Sequence, residues 1–263
     1  MKDEKGKMNY LREFELAKRW MIVAYKKFVG KTKINIIEKA DSTFVTDVDT
    51  AIEDYLINEI SKSFSGDNFV TEERNPDNKI NGRTWVIDPI DGTVAFIKGL
   101  PTWGMQLAFV DNNITQFAII YLPKLNELYA CYRGKGITCN GRKLEFPNPD
   151  LNIKDCVTEY CGRMSDTYRV IGKIYKDLDD KTKNQFMFGS ATCSFINIVT
   201  GRCDALISGC HHPWDIYAGE FMLDQSGASK YKSKLGINIY ANSTQLFNTI
   251  KKELKELEKS NLK

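Results

Sequence analysis

The order of the predicted elements indicates an α+β region followed by an α/β region, with helices and sheets stacked in layers. Apolar residues repeat at three- and four-residue steps over residues 9–29, which predicts an amphipathic helix ending at Gly30. Strand-like runs separated by turn residues follow at 105–131. Strands and helices then alternate from residue 157 onward, as is typical of an α/β layout.

The best internal boundary signal is Pro147-Asn148-Pro149, between the antiparallel run and the alternating region. A chain of 263 residues is long enough for one large domain or two small ones. We expect one domain over residues 1–263, with an N-terminal α+β lobe at 8–146 and a C-terminal α/β lobe at 150–263.

The composition is that of an ordinary soluble globular protein, with 42% hydrophobic and 27% charged residues. A net charge of +3 demands neither a nucleic-acid nor a membrane partner, and we expect neither. No apolar run approaches the ~20 residues that span a bilayer. The N-terminus lacks an apolar signal core, and the seven cysteines include no Cys-x-x-Cys, so we expect reduced thiols and a cytoplasmic location.

The stretch Trp85–Thr93 joins a predicted buried strand to two carboxylates three residues apart. Asp88 and Asp91 flank Pro89, which we expect to end the strand because proline removes a backbone donor. Carboxylates bind hard cations, and the N–H groups that follow, from Gly92 onward, can receive an anion. The combination suggests phosphate held on Mg²⁺. An ordinary surface turn is the alternative, since Asp-Pro and Asp-Gly are common turn dipeptides.

Other acidic residues also lie at predicted element ends: Asp47, Asp49, Glu72, Glu73 and Asp215. Taken singly, each has an ordinary explanation as a helix cap or a solvated side chain. We expect Thr50-x-x-Glu53 to form a capping box at the start of the helix after Asp49. Four or five converging carboxylates would instead bind two or three Mg²⁺ ions and activate a water for phosphoryl hydrolysis. Such a site needs no nucleophilic side chain. This fits a chain whose two histidines, His211 and His212, are adjacent and expected to point opposite ways.

Five motifs in order resemble the inositol monophosphatase family. They are Val45–Asp49, Glu72-Glu73, Trp85–Thr93, Gly189-Ser190-Ala191, and Pro213–Gly219 with the later Gln225–Ala228. The resemblance runs from about residue 9 to 245 and departs from the family at Thr71, which replaces a glycine. It implies one catalytic domain, folded as a layered α-β-α-β-α sandwich of the inositol monophosphatase and fructose-1,6-bisphosphatase type. It also implies a homodimer and a Mg²⁺-dependent phosphomonoesterase that Li⁺ often inhibits.

The resemblance also implies roles for individual residues. The metal ligands would be Glu72, Asp88, the Ile90 carbonyl, Asp91, Asp215 and, for a third and weaker ion, Asp49. Asp49 and Thr93 would be catalytic, with Asp49 helping to activate the water and Thr93 orienting it. Contacts with the substrate would come from Gly92, Thr93, Gly189, Ser190, Ala191 and Asp215. Lys39 matches a basic residue of the family near the third metal.

The substrate is less defined than the reaction. Inositol-specific members commonly carry Asn and Glu where this chain has Ala95 and, approximately, Ser208. The default expectation is inositol monophosphate or a similar polyol phosphate. Residues 95–104 look more like the histidinol-phosphatase branch, so histidinol phosphate is the alternative. A third hypothesis is a catalytically idle binding or regulatory protein that retained the fold.

Overall fold

The computed structural model describes residues 9–30, 34–40, 42–146, 151–162 and 166–260. These ranges contain seven α-helices: α1 (Leu11–Phe28), α2 (Asp47–Ser63), α3 (Thr93–Ile97), α4 (Asp166–Leu178), α5 (Ala191–Val199), α6 (Pro213–Ser226) and α7 (Thr244–Ser260). The strands of the first half are β1 (Ile36–Glu38), β2 (Phe44–Thr46), β3 (Asn68–Thr71), β4 (Thr84–Asp91), β5 (Gly104–Asp111), β6 (Ile114–Leu122), β7 (Glu127–Tyr132), β8 (Gly136–Cys139) and β9 (Arg142–Lys143). Those of the second half are β10 (Val157–Cys161), β11 (Asn184–Phe186), β12 (Ala205–Ser208), β13 (Ser229–Lys232) and β14 (Asn238–Ala241). The predicted boundary Pro147-Asn148-Pro149 lies outside the described residues.

The strands form two large sheets and one small hairpin. The first large sheet has the order β3-β4-β5-β6-β7-β8-β9 and is antiparallel except for the parallel pair β3 and β4. The second has the order β11-β10-β12-β14-β13, and β10 runs parallel to both of its neighbours. Strands β1 and β2 pair by themselves, antiparallel.

Helices cover both faces of each large sheet. Helices α1 and α2 pack on one face of the seven-stranded sheet, and α6 packs on its other face beside α5. Helix α5 also contacts β10 and β12 of the five-stranded sheet, whose far side is covered by α4 and α7. The layers therefore run α-β-α-β-α, which confirms the expected fold. Because helices shield both faces, β5 is buried along its whole length instead of alternating between buried and exposed.

Aromatic packing fixes β4 within the first layer. The Trp85 ring is fully buried, with its centroid 4.8 Å from that of Phe109, and its Nε1–H donates to Asp67 at 2.8 Å. The predicted stripe of α1 faces the same cluster, where Ala17 and Met21 are fully buried. The motif strand is thus held rigidly on the side away from the acidic residues.

The capping-box prediction was wrong, and several short elements were missed. Helix α2 begins at Asp47, and its capping box pairs Thr46 with Asp49 instead of Thr50 with Glu53. The competing pairs lie four residues apart and match the same pattern, so the sequence did not separate them. The short elements β1, β2, α3, β13 and β14 were not predicted, since segments of three to five residues carry little periodicity.

Candidate metal centre and active site

A β-bulge places Asp88 and Asp91 on the same side of β4. In the pairing with β5, Asp88 faces Gln106 and Asp91 faces Gly104, so three steps on β4 match two on β5. Residues three apart in a regular strand point to opposite faces, and the extra residue of the bulge removes that difference. Pro89 lies within the bulge, where its missing donor costs no ladder bond. The expectation that Pro89 ends the strand is therefore wrong, because β4 continues to Asp91.

A third carboxylate joins this pair from helix α6. Asp215 lies in the first turn of α6, and carboxylate oxygens of Asp88, Asp91 and Asp215 all lie within 4.8 Å of one another. Gln106, a neighbour that sequence reasoning missed, donates from Nε2 to the Asp215 carbonyl oxygen at 3.4 Å. Three oxygens at this spacing can be bridged by one hard cation.

The start of α5 holds Asp91 in place. The Ser190 hydroxyl donates to Asp91 Oδ2 at 2.5 Å, and the Thr192 backbone N–H donates to the same oxygen at 2.6 Å. Ser190 also caps the helix by accepting the Cys193 N–H. Gly189, with a φ of 74°, turns the chain into this position. The predicted segment 189–191 is therefore at the site, and Thr192 is a member that was not predicted.

Glu72 lies in a turn that is organised by a buried glutamate. Both oxygens of Glu53 are used: Thr71 Oγ1 donates at 2.6 Å, Glu73 N–H at 3.0 Å and Arg74 N–H at 2.7 Å. Glu53 is fully buried on α2. It was predicted only as a helix cap, and here it fixes the Glu72-Glu73 turn beside the metal candidates.

Lys39 and Asp49 complete the acidic side of the site. Lys39 Nζ lies 2.5 Å from Glu73 Oε1 and 3.4 Å from Glu72 Oε1, so the β1–β2 hairpin is tied to this turn. One oxygen of Asp49 accepts the Thr46 N–H at 3.0 Å and a short hydrogen bond from the Thr46 hydroxyl. The other oxygen, Oδ1, is buried and has no hydrogen-bond partner among the residues that the structure describes.

The carboxylates perturb one another strongly. The pKa of Asp88 is raised well above its usual range, first by burial and then by four neighbouring carboxylates: Glu72, Asp91, Asp215 and Asp49. Burial likewise raises the pKa of Asp49 to about 7 and that of Glu72 to about 7, with Lys39 opposing the shift at Glu72. Mutual repulsion of this kind shows that five carboxylates share one electrostatic environment.

The donor set fits a hard divalent cation. Within the described part of the chain, Asp88 Oδ1 and Asp49 Oδ1 are both buried without a hydrogen-bond partner. This arrangement is costly unless another group supplies positive charge. All the candidate ligand atoms are oxygens, which Mg²⁺ prefers over the nitrogen and sulfur ligands typical of zinc. Bound Mg²⁺ would relieve both the unpaired oxygens and the repulsion among the carboxylates.

Gly92 and Thr93 follow directly at the start of α3. Gly92 has a φ of +85°, and a Cβ there would lie 3.0 Å from the Thr102 carbonyl oxygen and 3.1 Å from Ser190 Cβ. Glycine is therefore required on both conformational and steric grounds. The Thr93 hydroxyl donates to the Ile90 carbonyl oxygen at 3.2 Å, so the predicted metal-ligand carbonyl and the predicted catalytic hydroxyl lie together.

The residues that we expect to meet the alcohol come from separate elements: Ala95 from α3, Ser208 from β12, and His211 and His212 from the turn after it. We call them the alcohol side. Ala95 and Ser208 are buried, whereas both histidines are exposed in the segment between β12 and α6. The two imidazole centroids lie 4.3 Å apart, so the expectation that these rings point opposite ways is wrong. The His212 ring also stacks on Trp214, with centroids 4.7 Å apart and planes within 6°. This turn thus presents a stack of planar rings close in sequence to Asp215.

None of the helices in the described residues is long and apolar enough to cross a membrane. A family model described as the inositol monophosphatase family matches residues 10–257. Among curated proteins, the chain is 30% identical over 183 residues to a fructose-1,6-bisphosphatase/inositol-1-monophosphatase of Thermotoga maritima, covering 70% of this chain and 69% of that protein. It is also 31% identical over 211 residues to the Nus factor SuhB of Escherichia coli, covering 77% of this chain and 76% of that protein.

Solved structures agree on the fold. The Thermotoga maritima IMPase superposes with a TM-score of 0.81 at 24% identity, covering 96% of this chain and 99% of that one. An IMPase/NADP phosphatase solved with Mg²⁺ and phosphate superposes with a TM-score of 0.74 at 21% identity, covering 93% and 92%. With the match of the family model across nearly the whole sequence, these findings lead to one conclusion: the chain belongs to the inositol monophosphatase family.

Proposed function

We propose that this protein is a Mg²⁺-dependent phosphoric monoester hydrolase acting on a small phosphomonoester, by default inositol monophosphate or a similar polyol phosphate. The observation that carries the proposal is the meeting of Asp88, Asp91 and Asp215, with Asp88 Oδ1 buried and unpaired. A site of this composition would bind two or three Mg²⁺ ions.

We assign the ligands by position and chemistry. Glu72, Asp88, Asp91 and the Ile90 carbonyl would hold a first ion; Asp88, Asp91 and Asp215 would hold a second; and Asp49 would hold a third, more weakly. When bound, the metal supplies Lewis-acid stabilisation of the phosphoryl oxygens and lowers the pKa of coordinated water.

The attacking water is oriented by Thr93 and deprotonated with the help of Asp49. The Thr93 hydroxyl has a fixed direction because it donates to the Ile90 carbonyl oxygen, and the lone pairs of Thr93 Oγ1 can accept from a water. Asp49 Oδ1 is the buried unpaired oxygen available to accept the proton. No covalent intermediate on the enzyme is needed, because water attacks phosphorus directly.

The phosphate and its alcohol are assigned to different surfaces. The Gly92 and Thr93 N–H groups would donate to phosphate oxygens that carry negative charge, while segment 189–191 and Asp215 would border the leaving alcohol. Ser190 already donates to Asp91, so its contribution to the substrate would be through backbone and position.

Histidinol phosphate is the second candidate substrate. The observation that favours it is the stack of His211, His212 and Trp214, since a planar imidazole on the substrate could join such a stack. A comparison of kcat/KM for inositol monophosphate and histidinol phosphate decides between the two. The substrate with the higher kcat/KM is the preferred one.

A non-enzymatic role is the third candidate. It is motivated by the relatives named Nus factor SuhB, whose name describes a factor and not an enzyme. The complete set of carboxylates and the unpaired Asp88 oxygen weigh against it, because an idle protein gains nothing from five repelling acids that are buried or half-buried.

The deciding experiment is phosphate release from a broad panel of phosphomonoesters with and without Mg²⁺. Release that requires Mg²⁺ supports the proposal, and no release from any substrate would overturn it in favour of the non-enzymatic role. The homodimer and the cytoplasmic location stay predictions. Light scattering of the purified protein would test the homodimer.

A further inference from the structure

Two cysteine thiols meet beside the active site without taking part in the proposed reaction. Cys161 is the last residue of β10, and Cys210 follows the end of β12 by two residues. Their Sγ atoms lie 3.5 Å apart. Cys161 is buried, whereas Cys210 is partly exposed.

The backbones around this pair are held unusually close. In the parallel pairing of β10 and β12, Cys161 lies opposite Ser208, and the Gly209 N–H donates to the Cys161 carbonyl oxygen at 2.7 Å. A Cβ on Gly162 would lie 3.1 Å from Gly209 Cα, so only glycine permits this approach. The two sulfurs are therefore brought together by the sheet and its glycines. Closing their gap to a bond of about 2.05 Å needs a shift of roughly 1.5 Å.

We propose that Cys161 and Cys210 are a redox site that forms a reversible intramolecular disulfide on exposure to a peroxide. The partly exposed Cys210 thiol would first be oxidised by hydrogen peroxide to a sulfenic acid, releasing one water. The Cys161 sulfur then attacks the Cys210 sulfur and a second water leaves. In sum, two thiols and one H₂O₂ give one disulfide and two H₂O, and a dithiol reductant reverses the reaction.

The disulfide would act on Asp215 through the connecting turn. Residues 209–212 join β12 to α6, and the Asp215 N–H donates to the His212 carbonyl oxygen at 3.1 Å. Drawing Cys210 toward Cys161 shifts the start of α6, which carries the Asp215 carboxylate. This consequence rests on the proposed metal site, and we expect the oxidised protein to bind Mg²⁺ about tenfold more weakly, as when a supporting contact of a metal ligand is lost.

Peptide mapping of the whole protein after hydrogen peroxide treatment tests the disulfide directly. We expect a cross-linked pair of peptides containing residues 161 and 210, a loss of two hydrogen atoms from the intact mass, and recovery of both thiols with dithiothreitol. Thiols that stay free and alkylatable, or sulfinic acid at Cys210 without a cross-link, would overturn the proposal. This measurement needs no catalytic activity, so its outcome is independent of the proposed function.

Titration calorimetry with Mg²⁺ tests the coupling to the metal site. We expect the oxidised wild-type protein to lose affinity and the Cys161→Ser variant to keep the same affinity before and after peroxide. Cys139→Ser is the matched control, because Cys139 is a partly exposed thiol on β8 of the other sheet, and this variant should respond to peroxide as the wild type does. A cross-linked protein with unchanged Mg²⁺ affinity would refute the coupling.

Discussion

The metal side of the site, meaning the carboxylates Asp49, Glu72, Asp88, Asp91 and Asp215 with the groups that hold them, is supported differently from the alcohol side. Asp91 is held by two hydrogen bonds from α5, and the Glu72 turn is held by three hydrogen bonds to the buried Glu53. On the alcohol side, His211 and His212 are exposed, and their rings pack on each other and on Trp214. The proposed phosphoryl-transfer chemistry thus depends on a largely buried network, whereas the two histidines of the alcohol side lie on an exposed turn.

This difference has a consequence for how the two sides respond to change. A buried, mutually dependent network loses function when any member is altered, since partners are left unpaired or misdirected. An exposed turn can change residues without disturbing the sheet beneath it. We therefore expect substitutions on the metal side to affect every substrate alike, and substitutions on the alcohol side to change the ratio between substrates.

The largest effect is expected for Asp88→Asn. This change removes a charge from the centre of the cluster while keeping the size of the side chain, and kcat/KM should fall by about 10³ or more for every substrate. The metal-free variant should melt no lower than the wild type, because one repelling carboxylate is gone. Phosphate release with Mg²⁺ and a melting curve in chelator measure the two effects.

Asp77→Asn is the control for this substitution, since Asp77 is exposed in a loop before β4. It should leave both quantities unchanged. Full activity of Asp88→Asn would exclude Asp88 as a metal ligand.

Glu53→Gln should produce the next largest effect. The amide would turn an N–H₂ group toward a backbone N–H that now donates to the carboxylate, so the Glu72-Glu73 turn would shift. We expect Mg²⁺ affinity to fall about 10–100-fold, with much of kcat recovered at saturating Mg²⁺. Glu59→Gln, on the same helix but partly exposed, is the matched control. Equal Mg²⁺ titrations for the two variants would contradict a positioning role for Glu53.

These two residues also show how far sequence reasoning reached. Asp88 could be identified because it is a carboxylate directly after a run of apolar strand residues. This sequence pattern does not depend on the details of the tertiary structure. Glu53 was assigned to a helix cap, because its actual partners lie about twenty residues away on a turn whose position no local pattern encodes. Long-range hydrogen bonds of this kind were the main part of the site that could not be predicted.

Among the secondary-structure elements, too, regular segments could be predicted from the sequence and local irregularities could not. The long periodic helix α1 was predicted to within two residues at each end, since a burial stripe of many turns is hard to mistake. The bulge at Pro89 was not predicted, because proline is equally consistent with a strand end. Yet this bulge is what turns Asp88 and Asp91 to one side, so a local irregularity carries a central part of the site.

The metal-free cluster should also make stability depend on pH. Burial raises the pKa of Asp49 and that of Glu72 to about 7 in the folded protein, above their values in the unfolded chain. Between about pH 4.5 and 7 the folded state therefore binds more protons, and its free energy of unfolding falls as the pH rises through this window. In chelator, we expect ionisation of this cluster to lower the free energy of unfolding by on the order of 1–3 kcal/mol between about pH 5.5 and pH 8.

Saturating Mg²⁺ should remove this loss, because the metal binds the charged carboxylates and displaces their protons. Melting curves at the two pH values, with chelator and with Mg²⁺, provide the measurement, and Asp49→Asn should flatten the slope in chelator. A metal-free wild-type protein that melts higher at pH 8 than at pH 5.5, when compared with Asp49→Asn, would contradict the raised pKa values.

The smallest effect is expected for His212→Ala, which tests the alcohol side alone. The His212 ring packs on His211 and on Trp214, so its removal should act first on this stack. If a planar ring of the substrate joins the stack on Trp214, the loss of one ring should raise KM for histidinol phosphate about three- to tenfold without lowering kcat. KM for inositol monophosphate, which has no planar ring, should not change. An equal rise in both KM values, or a fall in kcat for both substrates, would show that this turn supports the metal side as well, and the separation between the two sides would then be lost.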